Sequence, residues 1–223
     1  MTLTRRLAGE ALGTAFLLAV VVGSGIMGER LAAGNTAVAL LANSIATGCG
    51  LWVLITIFGP ISGAHFNPAV TLVLAISGEF KWGDVPPYIA TQIVAAFVGV
   101  AAAHLMFELP LFSLSEHVRA GPAQWFSEGV ATAGLLLTIW LGMRAQPKWV
   151  PALVAVYITG AYWFTASTSL ANPAVTLARA ATNTFAGIRP IDTPGFIVAQ
   201  LLSALLATLV ARWFYRASTR RDS

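Results

Sequence analysis

HFNPAVTL at residues 65–72 returns as LANPAVTL at residues 170–177, so that NPAVTL recurs unchanged in the two halves of one chain. Asparagine is among the best residues to precede a helix, and proline is favoured at its first turn, where a missing N–H costs nothing. Asn67-Pro68-Ala69 and Asn172-Pro173-Ala174 therefore read as the starts of two helices. A second echo lies upstream, where Glu10-Ala-Leu-Gly-Thr-Ala matches Glu128-Gly-Val-Ala-Thr-Ala. The chain is an internal repeat, with a first unit over residues 1–115 and a second over 120–216 inside a single domain of 223 residues.

The setting of the repeat is apolar. Hydrophobic residues make up 57% of the chain and charged ones 10%, against about 25% charged in soluble domains. Disordered, collagenous and disulfide-scaffold classes are excluded, since the chain is apolar, its glycines are aperiodic and Cys49 is the only cysteine. The net charge of +4 is no nucleic-acid footprint, because no stretch clusters Lys and Arg with aromatics. A crossing takes roughly 20 apolar residues. The uncharged runs then predict six spans near 7–28, 36–58, 85–107, 121–143, 150–168 and 194–215. Two stretches, 59–78 and 169–190, are apolar but too short to cross, and each opens on Gly, Ser, Asn and Pro, which reads as a re-entrant segment ending in a half-helix.

With the N-terminus inside, Arg5, Arg6, Lys81, Arg144, Lys148, Arg212, Arg216, Arg220 and Arg221 are cytoplasmic, and Arg30, Arg119, Arg179 and Arg189 external. Nine against four places both termini in the cytoplasm, because Lys/Arg bias sets orientation. Arg5-Arg6 before an apolar run is not read as a cleaved signal, since Glu10 interrupts the run and no small-residue cleavage pattern follows. Trp82, Tyr88, Trp125, Trp149, Trp213 and Tyr215 lie near span ends and read as interface anchors. Three spans per unit is odd, so the two units insert with opposite topology. An inverted repeat puts the functional site near the midplane, between the units.

Two NPA boxes, six spans and paired intramembrane glutamates resemble the aquaporin or major intrinsic protein family, and the resemblance covers nearly the whole chain. It implies an all-α membrane fold: a right-handed bundle of six transmembrane helices plus two re-entrant half-helices in a 3+3 inverted repeat. In that arrangement the half-helix starts point at each other, each presenting roughly half a positive charge. The Asn67 and Asn172 amides supply donors to a passing oxygen, so that water or small alcohols pass and protons do not.

The resemblance also locates a constriction. Counting back twenty from Asn67 gives Thr47; counting back twelve and three from Asn172 gives Gly160 and Ser169; the residue after the second NPA is Val175. Most of the family has arginine at that last position. Thr47, Gly160, Ser169 and Val175 imply an opening wider and less polar than a water filter, suited to glycerol, urea or neutral metalloid hydroxides such as arsenous acid. The chain is in this respect aquaglyceroporin-like and similar to a bacterial subgroup associated with arsenic resistance. Arg179, one helical turn beyond Val175, reads either as a displaced arginine at the external mouth or as an interfacial residue that snorkels or caps a loop carbonyl.

Other residues keep two readings. Glu10 and Glu128 are scaffold for loop amides, or less readily a proton relay. His65 lines the pore by resemblance and either gates with pH or is held by a loop hydrogen bond. His104 and Glu108, four apart, suggest a pair on the helix surface, and Cys49 is a small hydrophobe near Thr47. Gly99, Gly129 and Gly134 suit close helix approach. No metal cluster, nucleophile triad or phosphate loop appears, so neither an enzyme nor a cofactor is expected. The expected protein is a multi-pass channel of the bacterial inner membrane, contacting lipid, passing water and small neutral solutes, and by resemblance a homotetramer. A water-selective channel and an inverted-repeat secondary transporter are the competing readings.

Overall fold

The computed structural model describes residues 1–218. Its helices are α1 (Leu3–Leu31), α2 (Thr36–Ser62), α3 (Pro68–Ile76), α4 (Val85–Met106), α5 (Pro122–Ala145), α6 (Val150–Phe164), α7 (Pro173–Arg179) and α8 (Thr193–Ser218). The anchor and charge readings at Tyr215, Arg216, Arg220 and Arg221 lie outside the described side chains.

Among the described residues, five helical segments are long and apolar enough to cross a membrane. The sixth, α6, has 15 residues and ends at Phe164, short of the predicted 168, because Thr165 turns extended and opens a non-helical stretch. At 1.5 Å per residue it covers about 22 Å. A 3-10 turn over Pro147–Trp149 leads into it and brings the pair close to the ~30 Å of hydrocarbon core. The first re-entrant segment also starts later than predicted. Pro60 sits in the last turn of α2, where it removes a single helical bond, and the helix continues to Ser62 until Gly63 turns left-handed at φ 91°.

In one unit α1 packs on α2 and α4, and in the other α5 packs on α6 and α8. The contact of α2 with α6 joins the units. The half-helices interlock them further: α3 lies against α4 and α8, α7 against α8 and α4, and α3 touches α7. This is the inverted repeat that the two NPAVTL boxes announce.

The outer faces are apolar and exposed, with Leu12, Phe16, Val53, Val94 and Leu206 among them, as lipid requires. Between helices the lipid supplies no hydrophobic drive, so close approach of small residues matters more. A Cβ on Gly99 of α4 would fall on the Ala15 carbonyl and the Leu18 side chain of α1, and one on Gly134 of α5 would strike the Tyr157 hydroxyl of α6. Gly129 is different: its nearest neighbour, Ser203 Cβ, is an ordinary 3.8 Å away.

At the end carrying the N-terminus, Arg6 Nη1 donates to Asp84 Oδ2 at 2.8 Å and its guanidinium lies over the Phe80 and Tyr88 rings. Tyr88 is therefore not an interface anchor. It is fully buried, accepting from Arg6 Nε at 2.9 Å and donating to Ser62 O at 2.8 Å. Trp82, Trp125, Trp149 and Trp213 are exposed, as belt residues are. At the opposite end, His104 departs from its expected pairing with Glu108. It is buried, with Nδ1 2.6 Å from Pro110 O and Nε2 2.7 Å from Thr182 Oγ1, and so ties the 107–121 connection to the segment after α7.

Gly99→Ala should lower unfolding stability in detergent by about 1–3 kcal/mol, because the backbone it meets cannot yield. Gly59→Ala, whose Cβ meets nothing within 4 Å, should leave the unfolding midpoint unchanged or slightly raised.

Candidate functional site

Each half-helix is preceded by irregular backbone at membrane depth, where no water completes its hydrogen bonds. Two fully buried carboxylates do so instead. Glu10 accepts the His65 N–H at 3.0 Å, the Phe66 N–H at 2.7 Å, the Ser62 hydroxyl at 2.7 Å and the Gln92 amide at 2.8 Å. Glu128 accepts the Leu170 N–H at 3.2 Å, the Gln200 amide at 2.8 Å and the Ala171 N–H. Gln92 also donates to Thr71 Oγ1 at 3.0 Å and Gln200 to Thr176 Oγ1 at 2.8 Å, so each unit carries the same Glu, Gln and Thr network. The two glutamines carry no motif. Their signal in the sequence is position, since an amide in the middle of an apolar span is as anomalous as a carboxylate there.

The same symmetry shapes the loops. Residues three and one before each asparagine, Ala64 and Phe66 in one unit and Ser169 and Ala171 in the other, all take left-handed φ of 49° to 54°. Non-glycine residues adopt that conformation only when their surroundings hold them in it.

Asn67 and Asn172 each do two jobs. Their Oδ1 atoms cap their own half-helices, accepting from Ala69 N at 2.9 Å and Ala174 N at 3.0 Å. Their amides reach across the pseudo-two-fold, Asn67 Nδ2 to Ala171 O at 2.8 Å and Asn172 Nδ2 to Phe66 O at 2.7 Å. A primary amide has two N–H groups. The second of each is uncommitted, and both asparagines border one cavity of about 900 Å³. Pro68, Ala69, Pro173 and Ala174 are buried behind them as the first turns of α3 and α7.

That cavity also meets Thr47, Ser169, Val175 and Arg179, with His65 further towards the end carrying the N-terminus. The Ser169 hydroxyl is buried and has no hydrogen-bond partner among the described residues. His65 Nδ1 lies 3.1 Å from Thr71 Oγ1 and its ring packs on Phe80 and Tyr88, so the loop hydrogen bond and the cavity position coexist. Arg179 is 2% exposed, and its Nε donates to Ala186 O, so it caps a loop carbonyl from the cavity wall instead of standing in an open mouth.

Gly160 falls elsewhere. Val154, Ile158 and Tyr162 form the cavity stripe of α6, whereas Gly160 shares the outer face with exposed Leu153, Val156 and Phe164. A fixed count back from Asn172 crosses non-helical residues after Phe164 and so loses the helical phase. Tyr162 occupies the wall in its place, its hydroxyl 3.3 Å from Thr47 Oγ1. The wall thus includes an aromatic ring that the sequence reading left out. Cys49, two residues past Thr47, is exposed on the far side of α2 and away from the cavity.

Comparison with known proteins bears on the fold and the family. The family model described as "Major intrinsic protein" matches residues 1–159. The chain is 59% identical to aquaglyceroporin AqpS of Rhizobium meliloti over 95% of this chain and 90% of that one. It is 35% identical to a probable glycerol uptake facilitator protein of Thermotoga maritima over 61% of this chain and 63% of that one. Its fold matches the X-ray structure of the aquaglyceroporin from Plasmodium falciparum with a TM-score of 0.71 at 20% identity, over 96% of each chain.

Glu10→Gln should destabilise the protein by about 1–3 kcal/mol, because the amide turns donors toward N–H groups and leaves at least one of the His65 and Phe66 amides unsatisfied. Hydrogen exchange would read the effect as lost protection confined to residues 63–67, and Glu128→Gln should do the same at 168–172.

Proposed function

The chain belongs to the major intrinsic protein family, and from that premise we propose a passive channel for small neutral solutes: glycerol, urea and neutral metalloid hydroxides such as arsenous acid, together with water. It is a channel and not an enzyme. The observation that carries the solute class is the chemistry of the wall around Val175. Val175 and the Tyr162 ring supply apolar surface, and the free Ser169 hydroxyl supplies a polar partner on the same cavity. A polyol or urea presents C–H or carbon surface on one side and O–H or N–H on the other, which such a wall matches. The relatives' names, aquaglyceroporin and glycerol uptake facilitator, point to the same class.

The mechanism follows from donors and charge. A solute oxygen leaving Ser169 meets the free N–H groups of Asn67 and Asn172, which replace part of its hydration while the solute stays uncharged. Two donors at one level also orient the oxygen of a water molecule there, so its hydrogens point away on both sides and proton hopping is slowed at that level, without being the only barrier along the path. The Glu10 and Glu128 carboxylates are consumed by backbone and amide donors, which favours the scaffold role over a proton relay.

A transporter coupled to ions needs charged or coordinating groups at the midplane, and the wall there is Asn, Val and Ala. The water-selective reading draws support from Tyr162, whose ring narrows the opening the sequence implied. We assign Thr47, Tyr162, Ser169 and Val175 to the constriction. We place the protein in the bacterial inner membrane with both termini cytoplasmic, on the Lys/Arg bias, its apolar outer faces covered by lipid and by neighbouring copies in a homotetramer.

Stopped-flow measurements on proteoliposomes with water, glycerol, urea and arsenous acid test the assignment. All four should permeate above protein-free lipid, and Val175→Arg should cut glycerol and arsenous acid flux by about tenfold while water flux falls less. Passage of water alone would refute the wide-wall reading in favour of the water-selective one.

A further inference from the structure

Two arginines meet at the end opposite the N-terminus, Arg179 in the cavity wall and Arg119 behind it. Arg179, the last residue of α7, borders the cavity and donates from Nε to Ala186 O. Arg119 belongs to the connection between the two units, far away in sequence and outside every helix. It donates from Nε to Gly187 O at 2.8 Å, and from Nη1 to Ser167 O at 3.2 Å and Thr168 Oγ1 at 3.3 Å. The two guanidiniums thus dock on consecutive carbonyls, 186 and 187, and Arg119 also grips the two residues that precede the wall residue Ser169.

This placement is built. Arg119 N–H donates to Asp192 Oδ2 at 2.9 Å, and Asp192 also takes Arg189 at 3.0 Å. Arg189 N in turn donates to His117 O at 2.7 Å, and Ser113 N and Ser115 N donate to Ala181 O and Ala180 O, each at 3.0 Å. Gly187 is buried where a Cβ would strike Ser115 and the Thr182 carbonyl, so only glycine lets the connection close on this segment. The segment 107–121 is sewn along its length to the stretch after α7.

Among the described residues neither Arg119 nor Arg179 forms a salt bridge, and the Asp192 carboxylate pairs with Arg189. Burial, and then the neighbouring Arg179 charge, pull the Arg119 guanidinium down to about 10, still far above neutrality. The carboxylate whose charge reaches both is Glu128, but its oxygens are taken by loop amides and Gln200, so the buried Arg179 charge acts on whatever enters the cavity it borders, with the half-buried Arg119 behind it. Val175, where most of the family carries arginine, contributes none.

We propose that exclusion of protons and cations at this end of the channel is carried by the pair Arg179 and Arg119, the second brought in by the connection between the units, in place of an arginine directly after the second NPA box. The proposal rests on the channel reading above. It makes the connection a determinant of selectivity and not only a tie between halves. Arg179 acts from the wall; Arg119 adds charge behind it and sets the 167–169 backbone.

The test is the ratio of proton flux to glycerol flux in proteoliposomes, with protons driven by a potassium diffusion potential and followed by an internal pH dye. Arg179→Gln and Arg119→Gln should each raise the ratio by about tenfold, and the double variant should raise it further. Arg119→Lys, which keeps the charge and loses the planar fork, should hold the ratio near wild type. Val175→Arg placed in the double variant should bring the ratio back down. Equal leak in Arg119→Lys and Arg119→Gln would show a staple without an electrostatic role and overturn the proposal for Arg119. An unchanged ratio in both Gln variants would overturn it for the pair. Wild-type glycerol flux no greater than bare lipid would instead refute the channel reading, and the proposal with it.

Discussion

Everything in this structure depends on satisfying backbone N–H groups in a medium that offers no water. Each NPA half-helix can begin in the middle of the bundle only if the loop before it is irregular, and irregular backbone at that depth survives only when its polar groups are partnered. Glu10 and Glu128 provide the partners, each accepting two loop amides from a fully buried position. With those loops fixed, Phe66 O and Ala171 O are presented to the opposite asparagine, and the two halves close on each other through Asn67 and Asn172. The cavity is what this closure leaves between them.

Legibility in the sequence follows from the same constraint. A carboxylate inside an apolar span, or an Asn-Pro pair in the middle of one, breaks the rules of lipid burial, and such violations stand out against a background that is 57% hydrophobic. Hence the repeat, the half-helix starts at Asn67 and Asn172 and the two glutamates are readable without coordinates. Helical phase is less readable wherever a loop intervenes. Thr47 faces the cavity from inside α2, but the count that chose Gly160 ran through the non-helical stretch after Phe164 and landed on the lipid face, two residues from Tyr162. Polar residues near span ends are ambiguous in another way. Tyr88 has the position of a membrane-interface anchor and is instead sealed under Arg6, while His104 turns inward to Pro110 and Thr182. Arg119 carries no motif at all, since its position is defined by carbonyls of a segment distant in the chain.

Charge is distributed accordingly. The carboxylates that reach membrane depth are used up by hydrogen bonds and face away from the cavity, so the midplane wall is neutral. The cationic side chains that border the cavity, Lys148 and Arg179, lie towards its two ends. A neutral solute with both polar and apolar surface therefore finds partners along the whole path, whereas an ion finds none that compensates its lost hydration. The substitution of valine for the family's usual arginine loosens the wall at Val175 without removing positive charge from that end of the molecule.

The claim at the centre is that this wall equilibrates neutral solutes and couples them to nothing. The most direct measurement is the final internal glycerol concentration in proteoliposomes under an imposed proton or sodium gradient, compared with the same vesicles without one. The account predicts fast equilibration to the external concentration in every case. Accumulation above it, driven by either gradient, would contradict the account.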